Sequence, residues 1–542
     1  MNENDDLAAD IRALTTLLSR VAKQATQPTS VDNLDEPQAD KDARRSFHHV
    51  AVLLSGSAVL GVTGSSSSGS FTLFGAREWS SPPSTDSKFA PLATCNPQRT
   101  ESDTRIKLSH TDDVRPLAEI FQDSNRIVPL SQHILDVTLY PTLDESDRER
   151  ARMHILRRSF TKFSRSLYQP GKFFNLAASE NRWWTLLENI RVDDISAENP
   201  PVRCHVRSVG RWAWNILARG LVPSTGEVSL TATTMKRVLE TVVKVLQRIH
   251  EKVGKTKEEK SWEGTTLDDL LLTLSSLLYG SKIIQLALSN ASISNMLLAS
   301  RKSEELVPDD DEDDLSAQRD GPFIYRSIEA VVAWHRAIGV LAASPVLSRR
   351  IPISFQLITA PPPPADLTPF FKLIDEASPS IPAELRTELE KRFVDEGLMT
   401  DAGESLDFPG STHCEAILMG FMLESNTEDP SPIRHTSNVI GVTKKCCYCC
   451  DKLAAILNAS SRFQGSIKTP GSHGFITPWS PPAGIPDKVL LELRNDLMGH
   501  LRKFVSLRSN HRSPSSEEGP DTLELTEEDM KLLDSHVHLT EL

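Results

Sequence analysis

The chain lacks several features that would assign it to a familiar class of protein. No run approaches the roughly 20 apolar residues that a membrane-spanning helix needs. The acidic start Met1–Asp6 is neither the basic segment nor the apolar core of a signal peptide. H-E-x-x-H and G-x-S-x-G motifs are absent, and Gly64–Gly69 is not followed by the lysine of a phosphate loop. We therefore expect an intracellular protein, cytoplasmic or nuclear, that contacts no membrane. The missing motifs also argue against a metalloprotease, an α/β-hydrolase and a phosphate-loop protein.

Size and composition indicate a soluble globular chain with more than one domain. The chain has 542 residues, of which 39% are hydrophobic and 25% are charged. Its net charge of −13 argues against binding nucleic acid through bulk charge, although a local basic groove stays compatible with it.

Patterns along the chain predict a mainly helical N-terminal region and a C-terminal α/β domain. Helical periodicity is clearest over Met235–Ile249 and Leu267–Leu277, whereas strand and helix patterns alternate after Arg349, with strands at Ile351–Thr359 and Asn438–Val442. The predicted segments are an N-terminal helix and polar linker (1–45), a Ser/Gly/Pro-rich, partly disordered stretch (46–105), a helical domain (106–345), the α/β domain (346–505) and a polar acidic tail (506–542). Within the Ser/Gly/Pro-rich stretch we expect short strands at Val50–Leu54 and Ser70–Phe74. The helical domain should contain an acidic loop at Asp309–Asp314, and the tail a helix at Glu527–His536.

The most informative feature is a cluster of cysteines in the C-terminal region. Five of the seven cysteines fall between positions 414 and 450, namely Cys414, Cys446, Cys447, Cys449 and Cys450. In a reducing compartment such a cluster is more typical of a metal site than of disulfides. His413-x-Glu415 opens one predicted helix and a C-x-x-C opens the next, which is the order of the zinc-deaminase signature.

This set of residue types has a chemical logic. One imidazole and two thiolates give zinc three ligands and leave its fourth position open for water. Cysteines at i and i+3 share one face of a helix, and the helix N-terminus stabilises thiolates. Glu415 would not bind the metal but would carry protons between the water and a leaving amine. Spacing alone permits either cysteine pair, Cys446 with Cys449 or Cys447 with Cys450.

Three segments resemble the OTT-like nucleic-acid deaminase family, a fungal expansion of the cytidine deaminase-like superfamily. They are His413–Ala416, Ile440–Cys450 and Thr469–Gly474, and the similarity covers roughly residues 346–505. The sequence departs from the family pattern at Thr443, which replaces serine, and at Cys446, which replaces the usual proline.

The resemblance implies a cytidine deaminase-like three-layer α/β/α domain that binds Zn²⁺ through His413, Cys447 and Cys450, the register favoured over Cys446 and Cys449. It implies Glu415 as the catalytic residue, and His473 and Trp479 as candidates for the substrate pocket. The implied reaction is hydrolytic removal of an exocyclic amine from a cytosine- or adenine-type base, in a nucleoside or single-stranded nucleic acid.

Other interpretations stay open at this point. The chain could instead be a catalytically inactive, zinc-stabilised module whose helical region binds a protein partner. A structural zinc site would need a fourth ligand, for which the candidates are Cys414, Cys449, His435 and His473. Trp479, flanked by prolines, also fits a packing anchor, and a redox C-x-x-C protein would need a thioredoxin-like context that is missing.

Overall fold

The computed structural model describes most of the regions that the sequence patterns single out. The described residues are 3–21, 37–55, 59–67, 70–77, 137–138, 140–168, 182–196, 203–205, 227–259, 264–280, 282–300, 323–347, 353–358, 368–379, 381–395, 410–427, 438–460, 466–482 and 484–510. The predicted acidic loop Asp309–Asp314 and the predicted helix Glu527–His536 lie outside them.

The described residues are mostly helical, with a small sheet and a separate strand pair, which agrees with the predicted α+β class. The helices are α1 (Glu3–Val21), α2 (Gln38–Leu54), α3 (Glu145–Arg158), α4 (Phe160–Tyr168), α5 (Thr185–Glu188), α6 (Ala232–Glu259), α7 (Gly264–Ser275), α8 (Ile283–Leu288), α9 (Ala291–Ala299), α10 (Phe323–Ala342), α11 (Phe370–Ala377), α12 (Ala383–Asp395), α13 (Cys414–Thr427), α14 (Tyr448–Ala459) and α15 (Asp487–Asn510). The strands are β1 (Leu60–Ser67), β2 (Ser70–Arg77), β3 (Arg203–His205), β4 (Glu227–Ser229), β5 (Ile353–Ile358) and β6 (Gly441–Val442).

The chain divides into two compact units. The first unit comprises Met1–Ala51, Ala58–Asn96 and Ser354–Leu542, and the second comprises Val52–Ser57 and Pro97–Ile353. This division differs from the predicted segments, because α1 and the hairpin β1–β2 belong to the same unit as the C-terminal region. The physical reason is burial: the apolar face of α1, including Ile11, Leu14 and Leu18, lies in one core with α13, α14 and α15.

A four-stranded sheet organises the first unit, with the strand order β5-β2-β1-β6. Strand β1 pairs antiparallel with both β2 and β6, so the hairpin supplies the centre of the sheet. The predicted strand Ser70–Phe74 lies within β2, and β5 lies within the predicted strand Ile351–Thr359. Of the predicted strand Asn438–Val442, only Gly441 and Val442 are in β6.

The predicted strand Val50–Leu54 is wrong, because these residues form the last turns of α2. Val50, Ala51, Leu53 and Leu54 are all buried. A short apolar run is compatible with a buried strand or a buried helix, and periodicity alone does not separate them.

Two glycines of β1 show which helices cover the sheet. A Cβ atom on Gly61 would lie 3.1 Å from Leu418 of α13, and one on Gly64 would lie 2.8 Å from Phe47 of α2. Successive residues of a strand point to opposite faces, so positions 61 and 64 face opposite sides. Helices α13 and α2 therefore pack on opposite faces of the sheet.

The second unit is built mainly from α3 to α10. Its buried core includes Trp183 and Trp184, whose rings meet edge to face with their centroids 5.5 Å apart. Throughout the described residues of the chain, no helix combines the length and the apolar composition that a membrane span requires.

Candidate metal and active site

The first part of the site is the start of α13. His413 directly precedes this helix, and its carbonyl oxygen accepts a hydrogen bond from the Ile417 backbone N–H at 3.0 Å. The helix is held against the sheet by buried apolar residues such as Leu418. His413 and Glu415 are therefore presented together at the first turn of a helix that the sheet fixes in place.

The second part of the site is the start of α14. Cys447 is the N-cap residue of this helix, with an extended backbone, and its Sγ accepts a hydrogen bond from the Cys450 backbone N–H at 3.4 Å. N-cap side chains satisfy the backbone donors that a helix leaves unpaired in its first turn. This capping turn brings the side chains of Cys447 and Cys450 to the same end of the helix.

The two helix starts meet in a compact cluster of possible metal ligands. One ligand atom from each of His413, Cys447 and Cys450 lies within 4.8 Å of the other two. The His413 Nδ1 atom is 3.7 Å from the Cys450 Sγ atom. The alternative pair, Cys446 and Cys449, is buried nearby but does not belong to this cluster. That the three residues bind a metal stays a prediction.

The described candidates for a fourth ligand lie outside the cluster of His413, Cys447 and Cys450. Among the residues that the structure describes, no further His, Cys, Asp or Glu side chain joins the cluster, so Cys414, Cys449 and His473 do not complete it. His435 lies outside the described residues. The described geometry thus offers three protein ligands, which is the number that catalytic zinc sites use.

The electrostatics single out one sulfur. Burial raises the pKa of Cys446, Cys449 and Cys450 above its ordinary value. Burial also acts to raise the pKa of Cys447, but hydrogen bonds from Cys449, Cys450 and His413 outweigh it and lower that pKa well below its ordinary value. Several donors converge on the Cys447 sulfur, as they would on a thiolate.

Glu415 lies beside the cluster and is almost completely enclosed. The residue is 4% exposed, and its Oε2 atom accepts a hydrogen bond from the Cys414 thiol at 3.3 Å. Burial raises the pKa of Glu415 above its ordinary value, while the neighbouring His413 partly opposes this shift. A carboxyl group in such a setting accepts a proton more readily than an exposed glutamate does.

His473 stands in the turn that covers the start of α14. Gly471 and Gly474 have φ values of 90° and 77°, which favour glycine and allow this tight turn. The His473 N–H donates to the Cys446 carbonyl at 3.1 Å, and its Nδ1 atom accepts from the Phe475 N–H at 3.1 Å. Burial lowers the pKa of His473, so the ring is neutral with its proton on Nε2.

Trp479 does not have the surface that a substrate-stacking role requires. The side chain is fully buried, and both the backbone N and O atoms of Trp479 lie 3.0 Å from the Thr15 hydroxyl. A ring without an exposed face cannot stack on a base, so the prediction that Trp479 lines the pocket is not supported. The structure shows a packing anchor that joins α1 to the C-terminal part of the first unit.

Sequence reasoning missed the side chains that connect distant parts of this unit. Arg494 contacts Asp10 of α1 and Glu376 of α11, each at 2.6 Å, so it forms ion pairs that join α15 to both helices. Tyr448, between Cys447 and Cys450, is hydrogen-bonded to Asp496 and His500 of α15. Residues 10 and 494 are 484 positions apart, and no local spacing marks such a pair.

The comparison with known families supports the resemblance seen in the sequence. Residues 412–483 match the sequence profile of the family described as OTT_1508-like deaminase. This match confirms the predicted similarity to the OTT-like deaminase family and contains all three cluster residues, Glu415 and His473. No curated protein and no solved structure was found to match the chain.

Proposed function

We propose that this protein is a zinc-dependent deaminase that removes an exocyclic amine from a cytosine- or adenine-type base by hydrolysis. One observation carries the proposal: His413, Cys447 and Cys450 converge within 4.8 Å beside a buried Glu415, inside the segment that matches a deaminase family. The positions of α2 and α13 on opposite faces of the sheet support a three-layer α/β/α arrangement for this domain.

The donor set fits zinc. Imidazole nitrogen and thiolate sulfur are the ligands that zinc prefers, and three protein ligands leave a position for a reacting molecule. In the proposed enzyme, His413, Cys447 and Cys450 would hold the ion. When bound, zinc would supply a water molecule acidic enough to react at neutral pH.

Glu415 would be the proton carrier of the reaction. Hydrolytic deamination forms a bond between the ring carbon and the water oxygen and breaks the bond between that carbon and the exocyclic nitrogen. The Glu415 carboxylate would take a proton from the water and give it to the departing nitrogen, which leaves with its electron pair as ammonia. The raised pKa of Glu415 is compatible with this role, because the group must hold a proton briefly at neutral pH.

His473 is proposed to contribute to the substrate pocket. Its Nδ1 atom is used by the turn, so Nε2–H is left as a donor for a carbonyl or ring nitrogen of the base. The substrate class, a nucleoside or a single-stranded nucleic acid, is part of the proposal and rests on the family similarity.

The test uses the full chain and two glutamate variants. Zinc content is measured together with ammonia release from a panel of nucleosides and single-stranded RNA and DNA. We expect Glu415→Gln to lose about 100-fold or more of the activity while keeping its zinc, since it removes only the proton carrier. Glu492→Gln, a change on the exposed face of α15, is the matched control and should alter neither property.

Two results would contradict the proposal. One is a zinc-loaded protein that releases no ammonia from any member of the panel, which is the behaviour of an interaction module. The other is a Glu415→Gln variant that is as active as the unmodified chain.

A further inference from the structure

Tyr448 occupies a special place relative to the proposed metal ligands. It is the first residue of α14 and stands between Cys447 and Cys450 in the turn that carries both sulfurs. Its backbone N–H donates to the Phe475 carbonyl at 2.9 Å, and the residue is only 6% exposed. The residue is therefore held from outside the helix at the point where the two ligands diverge.

The Tyr448 side chain is part of a network that joins α14 to α15. Its hydroxyl is hydrogen-bonded to the Asp496 carboxylate, and the His500 Nε2 atom lies 2.9 Å from the same hydroxyl. The second oxygen of Asp496 pairs with the Lys452 ammonium at 2.7 Å. The Tyr448 and His500 rings also meet edge to face, with centroids 5.1 Å apart. Two side chains from each helix thus interlock.

The hydrogen-bond directions in this network are mutually consistent. The Tyr448 hydroxyl donates to the Asp496 carboxylate, which can only accept. Because the one hydrogen of that hydroxyl points to Asp496, its oxygen accepts from the His500 ring, which carries a proton on Nε2. Each donor in these two bonds thus faces an acceptor, which favours a rigid connection.

The first turn of a helix is where such a connection matters most. Terminal turns fray, because their backbone groups lack partners within the helix. Zinc requires both sulfurs at about 2.3 Å from one ion, so a small rotation of this turn would misplace one of them. A side chain fixed between the two ligands limits that rotation.

We propose that Tyr448 and Asp496 are positioning residues that hold the first turn of α14 in the geometry needed by Cys447 and Cys450. This inference rests on the proposed metal site, and it assigns to α15 a role in metal affinity. The two residues would act through the backbone of the turn and would not touch the substrate.

The experiment removes one hydroxyl at a time from the full chain. Tyr448→Phe is compared with Tyr279→Phe, a matched control in the second unit, where a mostly buried tyrosine hydroxyl donates to Glu329 at 3.2 Å. The measurements are the zinc dissociation constant by competition with a chelator, the absorption spectrum of the cobalt-substituted protein, and the melting temperature.

We expect Tyr448→Phe to raise the zinc dissociation constant about tenfold and to broaden the cobalt bands, because outer groups that orient ligands contribute on this scale. Asp496→Asn should change both readouts in the same direction, and it serves as the second variant if Tyr448→Phe does not fold. Tyr279→Phe should leave both metal readouts unchanged, although it also loses a hydrogen bond and some stability.

The outcomes separate this inference from the proposed function. If the unmodified chain binds zinc and both Tyr448→Phe and Asp496→Asn bind it within about twofold as tightly, the positioning role is wrong while the proposed metal site stands. Equal weakening by Tyr448→Phe and Tyr279→Phe would also overturn it, since a general loss of stability would then explain the effect. If the unmodified chain binds no zinc, the proposed function fails, and this inference fails with it.

Discussion

Each of the two units buries a cluster of titratable side chains, but the clusters are completed in different ways. In the second unit, Asp268 is 3% exposed and pairs with the Arg152 guanidinium at 2.8 Å, so the chain itself supplies the opposite charge. In the first unit, one possible metal-ligand atom from each of His413, Cys447 and Cys450 lies within 4.8 Å of the other two. In the proposed metal site a cation from outside the chain would complete this cluster, whereas Asp268 takes its opposite charge from Arg152 of the same chain.

His335 sharpens this contrast. Its Nε2 atom lies 3.8 Å from the Asp268 carboxylate, which is too long for a hydrogen bond. Burial, with a contribution from Arg152, lowers the pKa of His335 to about 4, so this histidine is neutral beside Asp268. We therefore interpret the second cluster as an Arg152–Asp268 ion pair with a neutral histidine packed against it.

The largest effect that would test the difference between the units is expected at Gly441 of the first unit. A Cβ atom there would lie 2.2 Å from the His48 backbone nitrogen, a contact that only a shift of α2 or β6 could relieve. We expect Gly441→Ala to lower the free energy of unfolding of the first unit by about 3 kcal/mol or more. Calorimetry of the full chain measures this as a lower transition temperature, and an unchanged transition would show that α2 is not packed tightly on the sheet.

The second prediction concerns the pH dependence of the stability of the second unit, where two large pKa shifts should cancel. Burial raises the pKa of Asp268 from 3.8 to about 6, while that of His335 falls from 6.5 to about 4. Between about pH 4 and pH 6 the folded cluster holds one proton, on Asp268, and the unfolded chain also holds one, on His335. Because the proton counts are equal, the cluster should contribute almost no pH dependence to stability in this window.

Single variants should show the separate contributions of Asp268 and His335 to the pH dependence of stability. In His335→Gln, the folded state binds the extra proton, so the free energy of unfolding should fall by about 3 kcal/mol as the pH rises from 4 to 6. In Asp268→Asn, the unfolded state binds the extra proton, so the free energy of unfolding should rise across about the same window. Calorimetry at a series of pH values measures how the free energy of unfolding of each variant changes with pH, relative to the unmodified chain. If these two differences in slope had the same sign, the assignment of protons would be wrong.

The smallest expected effect has the opposite sign to that at Gly441. Gly254 lies within α6 of the second unit, and nothing lies within 4 Å of the Cβ position. Gly254→Ala should raise the free energy of unfolding of the second unit by about 0.5–1 kcal/mol, because alanine loses less conformational freedom in a helix. A destabilised variant would show that this face of α6 is in contact with another part of the protein.

The candidate site was largely predictable from sequence because its geometry is local. His413 directly precedes α13 and Glu415 lies in its first turn, while Cys447 and Cys450 share the capping turn of α14. The choice between cysteine pairs was not decided by spacing, since it depends on the residue at which α14 begins. Backbone bonds from Cys446 to Gly471 and His473 hold that cysteine outside the helix, and these involve residues some 25 positions away.

The composition of the first unit was much less predictable. The assignment of α1 and the hairpin β1–β2 to this unit depends on packing between segments hundreds of residues apart. The apolar spacing of α1 indicates that one face of the helix is buried, but it does not identify the segment that covers that face. Gly61 illustrates the point, since it leaves room for Leu418 and Cys414 of α13 only after the sheet has formed. A Ser/Gly-rich stretch is typical of a loop, and only its partners turn it into the central strands.

The bond between Thr15 and Trp479 has a consequence for how the protein is made. These residues are 464 positions apart, so a ribosome synthesises α1 long before the segment that α1 packs against. Chains acquire native contacts domain by domain as they emerge, and contacts of such long range form slowly. We expect the apolar face of α1 to need shielding on the nascent chain, and the complete first unit to form only after translation has passed α15.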